Sequence, residues 1–172
     1  MNAALAGRQV LVSAGPTFED IDPVRFIGNR SSGKMGFAIA AVAAARGAGV
    51  TLVAGPVHLP TPPGVQRIDV RSAAQMFDAV MDALPTDVYV GAAAVADYTP
   101  RAFAADKLKK LPLGEGRARD SLTLELVPTR DILAEVAAHA RRPALVVGFA
   151  AETRDVAAYA RAKRERKRAD LI

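Results

Sequence analysis

Short apolar runs alternate with polar turns and longer alanine-rich stretches along the chain. Gln9-Val10-Leu11-Val12-Ser13 is a β-branched run ending at Ala14-Gly15-Pro16-Thr17, the pattern of a strand feeding a turn. Residues 18–27 follow without helical or strand period. They read as a long irregular loop, and such loops usually carry function. The run from Phe37 to Ala45 is rich in the best helix former and closes at Gly47, predicting a helix from about Gly33 to Arg46 with Ser31 or Ser32 as N-cap. Val50 to Ala54 repeats the strand-to-turn pattern, residues 59–64 form a proline-stiffened connector, and Val65 to Val70 predicts a third strand. A helix from Ala73 to Leu84 sets Met76, Phe77, Val80 and Leu84 on one face, and Asp87 to Gly91 is a fourth strand. Lys107 to Leu111 and Ser121 to Val127 alternate polar and apolar residues around a Gly/Arg-rich turn, predicting a half-exposed hairpin or flap. Asp131 to Ala140 predicts a helix, Ala144 to Val147 a buried strand and Thr153 to Arg168 a long basic helix. Asp170-Leu171-Ile172 opens a further strand. Helices alternating with apolar strands predict an α/β fold, three-layer and Rossmann-like, with a mostly parallel sheet covered on both faces and a protruding β-hairpin or flap.

A length of 172 residues suits one domain that buries roughly 70% of its unfolded surface. Hydrophobic residues make up 51% of the chain but aromatics only 5%, so the core is expected to be aliphatic and alanine-rich. No apolar run approaches the ~20 residues of a membrane span, and the first five residues carry no basic leader, so a cytoplasmic location is expected. The absence of cysteine excludes disulfides, thiolate metal sites and a cysteine nucleophile. His58 and His139 are far apart in sequence and read as surface residues. The net charge of +5 points to an anionic partner, and its concentration in residues 161–168 favours a local site over a generally basic surface.

Gly28-Asn29-Arg30-Ser31-Ser32-Gly33-Lys34-Met35-Gly36 leads into the first predicted helix. A helix start exposes unpaired N–H groups and the positive end of the dipole, while glycines admit close approach, so the stretch has the shape of an anion site. It nearly matches the phosphate-binding P-loop, but Met35 replaces the hydroxyl residue that holds Mg²⁺ and the stretch does not directly follow its strand. Gly33-x-x-Gly36 is only a fragment of the dinucleotide fingerprint. On this stretch alone, a glycine turn capping a buried helix explains the residues equally well.

The informative polar residues follow strand ends: Gly15 to Gly36, Ala93 to Asp97, and Phe149 to Glu152. Parallel sheets bind ligands outside the carboxyl ends of their strands, so one crevice can collect all three loops. Tyr159, Lys163 and Lys167 recur every four residues and share a helix face that can meet a triphosphate, although a charge run is more often simply solvated. Asp97 either caps a turn or accepts hydrogen bonds from a ribose. Asp20 and Asp22 form an Asp-x-Asp pair of low specificity for a metal, so no metal ligand is assigned. No Ser/His/Asp set supports hydrolase chemistry.

Taken together, these residues resemble phosphopantothenoylcysteine synthetase (phosphopantothenate–cysteine ligase) of the bacterial CTP-using type, from Gly7 to Ile172. The landmarks are Ser13 to Thr17, Asp22-Pro23-Val24-Arg25, Asn29 to Gly36, Ala92 to Tyr98, Lys107-Leu108-Lys109-Lys110 and Val147 to Thr153, in order and with fitting gaps. The resemblance implies that CTP activates the carboxylate of 4′-phosphopantothenate as an acyl-cytidylate, releasing pyrophosphate. The amine of L-cysteine then forms the amide and releases CMP. It assigns Asn29 and Arg25 to the activated acyl group, and Lys107 to the reacting phosphate. Gly15, Ser32, Gly33, Lys34, Ala93 and Ala94 fall to the substrate or intermediate. Asp97, Phe149, Lys163 and Lys167 fall to the nucleotide, helped by the helix start at Ile132, Leu133 and Ala134. Mg²⁺ is expected to arrive with CTP.

The same resemblance implies a homodimer formed partly through the flap, with no membrane or nucleic-acid partner. Many bacterial relatives carry a flavin-dependent decarboxylase ahead of this region, and the family continues past Asp170-Leu171-Ile172. Residues 1–172 therefore read as a single CTP-binding ligase domain shortened at its C-terminus. Two rival readings remain: a non-catalytic nucleotide- or RNA-binding module using the basic C-terminal helix, and an NAD-type oxidoreductase. The latter is weakened by the missing Gly-x-Gly-x-x-Gly.

Overall fold

The apolar run at residues 10–14 forms β1 (Gln9–Ala14), which takes the centre of a five-stranded sheet. The computed structural model describes residues 3–109, 122–151 and 153–172. With β4 (Gly49–Ala54), β5 (Val65–Asp69), β6 (Val88–Gly91) and β9 (Leu145–Gly148), the strand order is β5-β4-β1-β6-β9 and every pairing is parallel. The chain builds outward from β1 in one direction, then returns to its other side with β6. The strand order thus reverses between β1 and β6, the place where open parallel sheets hold ligands.

Alternation along β1 assigns the two faces. Val10, Val12 and Ala14 pack with Phe37, Ala40 and Ala43 of α1 (Lys34–Ala45), whereas Leu11 packs with Met76, Phe77 and Val80 of α2 (Ala73–Asp82) and with Ile132 and Val136 of α3 (Ile132–Ala138). Full burial of such side chains contributes about 1.5–3 kcal/mol each. The three-layer α/β reading holds, as does the predicted order of the five sheet strands and the helices among them. The last helix, α4 (Val156–Lys167), buries none of its residues.

Gly36 is the close-approach point between α1 and β1, since a Cβ there would overlap that of Ala14. The expected serine cap of α1 is corrected: Gly33 is the N-cap, in the left-handed region at φ 73°, with no side-chain cap bond. A residue with a Cβ reaches that conformation only with strain, so the turn selects glycine over a capping hydroxyl. Ser31 Oγ instead accepts the N–H of Gly33 at 3.4 Å. By contrast α2 begins with a capping box between Ser72 and Gln75.

The loop expected at residues 18–27 is an antiparallel hairpin of β2 (Phe18–Asp20) and β3 (Phe26–Gly28). Its strands are three residues each, too short to show a period. Tertiary contacts hold them: the Phe18 and Phe26 rings stack at 3.9 Å, Arg71 lies over both rings, and its guanidinium pairs with Asp20 at 2.6 Å. The Glu19 carboxylate accepts the Ala73 N–H at 2.8 Å, fastening the hairpin to the start of α2.

A second correction concerns the flap. Lys107, Leu108 and Lys109 form no strand, and residues 110–121 of the expected hairpin lie outside the described residues. Downstream, β8 (Leu126–Pro128) pairs antiparallel with β7 (Tyr98–Pro100), a strand the sequence pattern did not reveal. At the C-terminal end, Leu171 makes a parallel bridge to Val147 beside β9. Among the described residues, no helix is long and apolar enough to cross a membrane.

Replacing Gly36 by alanine should destabilise the protein by about 1–3 kcal/mol, the usual cost of overpacking a filled contact. Urea unfolding should show a lower midpoint; an unchanged midpoint means that α1 and β1 can separate without cost.

Candidate active site

The carboxyl ends of β1, β6 and β9 open on one cavity of about 230 Å³. Ser13 and Tyr89 belong to β1 and β6, Ala93, Val95 and Asp97 follow β6, Thr129 and Arg130 lead into α3, which Asp131 caps and Ile132 and Leu133 begin, and Phe149 follows β9. Lys163 and Lys167 bring α4 to the same cavity. They extend toward it from a helix without buried residues, so polar contacts position them. Lys163 Nζ donates to the Phe149 carbonyl at 2.6 Å, and Lys167 is paired with Asp131. Asp131 also caps α3, its Oδ1 accepting the Ala134 N–H at 3.1 Å. The cavity wall thus combines two ammonium groups with a helix start, a combination that suits phosphate oxygens.

The loop after β6 is zipped to the loop after β1. Ala94 N–H donates to the Gly15 carbonyl at 2.8 Å, and Ala96 N–H donates to the buried Thr17 Oγ1 at 2.9 Å. On the far side of this zipper sits Asn29, at the exit of β3. Its Nδ2 donates to the carbonyls of Ala94 and Val95 at 3.2 and 3.1 Å. Val95 lines the cavity, so Asn29 lies one residue from it.

Arg25 stands at the hairpin tip. Its Nη1 donates to Asp22 Oδ2 at 3.0 Å, and Nη1 and Nη2 both donate to the Leu108 carbonyl at 3.1 Å. Asp22 is buried. Burial alone would raise its carboxyl, but the N–H groups of Val24, Leu108 and Arg25, with the Arg25 charge, hold it below the ordinary carboxylate range. Asp20 is also held low, chiefly by its hydrogen bond from Arg71. Both members of the Asp-x-Asp pair are therefore committed to protein donors.

The residues assigned to the nucleotide converge: Asp97, Phe149, Lys163, Lys167, Ile132 and Leu133 all line the cavity, with Ala93 beside them, whereas Ala134 contributes its N–H to Asp131. Tyr159 is exposed on α4 and does not line it. Ala94, Gly15 and Gly33 gather at the zipper, and Ser32 and Lys34 are exposed at the start of α1. Arg25 and Lys107 do not line the cavity.

Sequence reasoning passed over Ser13, Tyr89, Thr129 and Asp131. Thr129-Arg130-Asp131 ahead of an apolar helix is a legible capping signature; nothing local marks the other two. Tyr89 is buried at the cavity floor, its hydroxyl 3.0 Å from Ser13 Oγ, and burial pushes its phenol up to about 12.

The family model described as DNA/pantothenate metabolism flavoprotein C-terminal domain matches residues 5–172. The chain belongs to that family. The solved C-terminal domain of a coenzyme A biosynthesis bifunctional protein CoaBC superposes with a TM-score of 0.82 at 42% identity, over 99% of this chain and 78% of that one. The CoaBC of Vibrio cholerae serotype O1 is 54% identical over 98% of the chain, and that of Escherichia coli 53% identical over 95%. The chain spans 41% and 39% of those two proteins' lengths.

The Tyr89 phenol should ionise well above the ordinary tyrosine range, because it is buried. A spectrophotometric titration should show one phenol near pH 12, absent after Tyr89→Phe. A Tyr89 phenol that titrates near the ordinary value of about 10 would mean that the cavity floor is open to water.

Proposed function

We propose that this chain is a phosphopantothenate–cysteine ligase domain that joins 4′-phosphopantothenate to L-cysteine at the expense of CTP. One observation carries this reading: residues scattered from position 93 to position 167 converge on a single cavity at the strand-order reversal, in a chain of this family. Its wall suits a nucleoside triphosphate. The Asp97 carboxylate can accept from a ribose hydroxyl, while Lys163, Lys167 and the start of α3 meet phosphate oxygens. The CoaBC relatives are described as bifunctional in coenzyme A biosynthesis. A decarboxylase partner, fused or separate, a homodimer and a cytoplasmic location belong to the same reading.

The chemistry divides in two. A carboxylate oxygen of 4′-phosphopantothenate attacks the α-phosphorus of CTP, the bond to the β-phosphate oxygen breaks, and pyrophosphate leaves. Negative charge builds around the α-phosphorus, and the Lys107 ammonium stabilises it. The cysteine amine then attacks the acyl carbon, loses a proton, and CMP departs. Asn29 and Arg25 donate to the acyl oxygen. Asn29 does so without the repulsion a carboxylate would bring, one of its two Nδ2 hydrogens moving to the acyl oxygen from the Ala94 or Val95 carbonyl that orients the amide in the free chain. The substrate is the Mg²⁺ complex of CTP, because the triphosphate supplies the hard oxygen ligands. Among the described residues no cluster of three His, Cys, Asp or Glu offers a dedicated cage.

A basic helix alone also suits RNA binding, but α4 turns Lys163 and Lys167 into a concave site instead of presenting all its cations on one open face.

Two outcomes are expected. CTP should raise the melting temperature well above the shift given by ATP at equal concentration, because only the preferred ligand stabilises the native state strongly. Equal shifts would overturn the choice of nucleotide. In rapid-quench assays Lys107→Gln should slow cytidylate formation by roughly a hundredfold, the scale of one lost electrostatic contact. Asn29→Asp should accumulate acyl-cytidylate with cysteine in excess. Normal cytidylate formation by the first, or normal turnover to amide by the second, contradicts these roles.

A further inference from the structure

We propose that Asp22 is a positioning residue for this reaction, its buried carboxylate locking the hairpin tip that carries Arg25 to the segment that carries Lys107. The inference rests on the ligase reading for its kinetic consequence, but the lock itself is visible in the hydrogen bonding.

The two cations belong to poorly supported stretches. Pro23, Val24, Arg25 and Phe26 are all exposed at the hairpin tip, and residues 101–109 form neither helix nor strand. Between them lies Asp22, whose side chain is 0% exposed while that of Arg25 is 43% exposed. Oδ1 accepts the N–H groups of Val24 and Arg25 at 2.8 Å each, which closes the tip on itself. That much is a local turn, and Asp is a common turn residue. Oδ2 does something a turn does not need. It accepts Arg25 Nη1 at 3.0 Å and the Leu108 N–H at 3.1 Å, across 86 positions of sequence.

Arg25 completes the lock by donating from Nη1 and Nη2 to the Leu108 carbonyl at 3.1 Å. The backbone of Leu108, next to Lys107, is thus held through both of its polar groups, its N–H by Asp22 and its C=O by Arg25. Nearby, the Ala104 N–H donates to the Ile21 carbonyl at 2.9 Å, a backbone tie between the same two stretches. These bonds occupy three of the five guanidinium donors and leave two for a substrate oxygen. A side chain that fixes the Arg25 guanidinium and the Lys107 backbone together sets the distance between the groups that serve the acyl oxygen and the phosphate. Displacing either by an ångström is enough to cost a large factor in rate.

Two substitutions separate the lock from simple turn closure. Asp22→Asn keeps one oxygen for the Val24 and Arg25 amides but puts an NH₂ where Oδ2 accepts. Leu108→Pro removes the N–H at the far end and also fixes φ at 108 and restricts Lys107, while it leaves the hairpin tip intact. In Asp22→Asn both half-reactions should slow by roughly tenfold or more, as expected when a charge-assisted hydrogen bond is lost, while the affinity for CTP stays within about twofold. Adding Lys107→Gln to Asp22→Asn should cost less than it does in the unmodified chain, because the two act on one element. Leu108→Pro should slow cytidylate formation more than amide formation.

Hydrogen exchange reads the lock without activity: the Leu108 amide should be protected in the native chain and exchange faster in Asp22→Asn. Both half-reactions at native rate in a folded Asp22→Asn, or CTP binding lost in parallel with both steps, overturns the proposal. So does a Leu108 amide that stays equally protected. If Asp22→Asn does not fold, Leu108→Pro decides: native rates in both steps overturn the proposal. A native chain that never releases pyrophosphate counts against the ligase reading alone, and the exchange of Leu108 then decides the lock.

Discussion

Everything at the site depends on the backbone pairing that carries β1 and β6 beyond the end of the sheet. Where the strand order reverses, the chains leaving the two strands would be free to diverge. Here they stay joined through the bridge between Pro16 and Ala94, the Ala94 N–H on Gly15, and the Ala96 N–H on the buried Thr17 hydroxyl. Buried donors and acceptors of this kind cost about 1–3 kcal/mol when left unpaired, so the seam is rigid. On one side of it lies the cavity lined by Asp97, Phe149, Lys163 and Lys167; on the other stands the hairpin carrying Arg25 and Asn29. Asn29 grips the seam itself through the Ala94 and Val95 carbonyls.

The two sides are built differently, and the difference suits the acyl and nucleotide tasks proposed for them. The hairpin side is fixed by an aromatic stack, the Arg71–Asp20 fork, the Glu19 bond to α2 and the Asp22 carboxylate. Acyl chemistry needs that rigidity, because a general displacement of donors weakens transition-state stabilisation directly. The nucleotide side relies on α4, which buries no residue and meets the cavity through Lys163 on a carbonyl and Lys167 on Asp131. The Lys163 tie is exposed and the Lys167–Asp131 pair part-buried, so on the proposed reading a triphosphate competes with both for the two ammonium groups.

The central fold was legible because its strands are apolar runs of four to six residues and its helices carry clear faces or alanine runs. The convergence of Asp97, Phe149 and the two lysines followed from their positions after strand ends or on a basic helix face. What escaped the sequence shares one cause: it is held by partners far away in the chain. The β2–β3 hairpin depends on Arg71, 51 residues beyond Asp20, and Tyr89 meets Ser13 across 76 residues. The serine expected to cap α1 failed for a backbone reason, since the left-handed turn at Gly33 leaves no room for an N-cap of ordinary conformation. Asp22 was visible as half of an Asp-x-Asp pair and as the start of the Asp22-Pro23-Val24-Arg25 landmark; its burial and its bond to Leu108 could not be read from spacing.

The central claim is that the seam unites a nucleotide site with an acyl-activating site. Pyrophosphate release from CTP measures it most directly. Release should require 4′-phosphopantothenate, begin without cysteine as a single burst no larger than the enzyme concentration, and become continuous when cysteine is added. Release that is independent of 4′-phosphopantothenate, or absent with all three substrates present, would contradict the account.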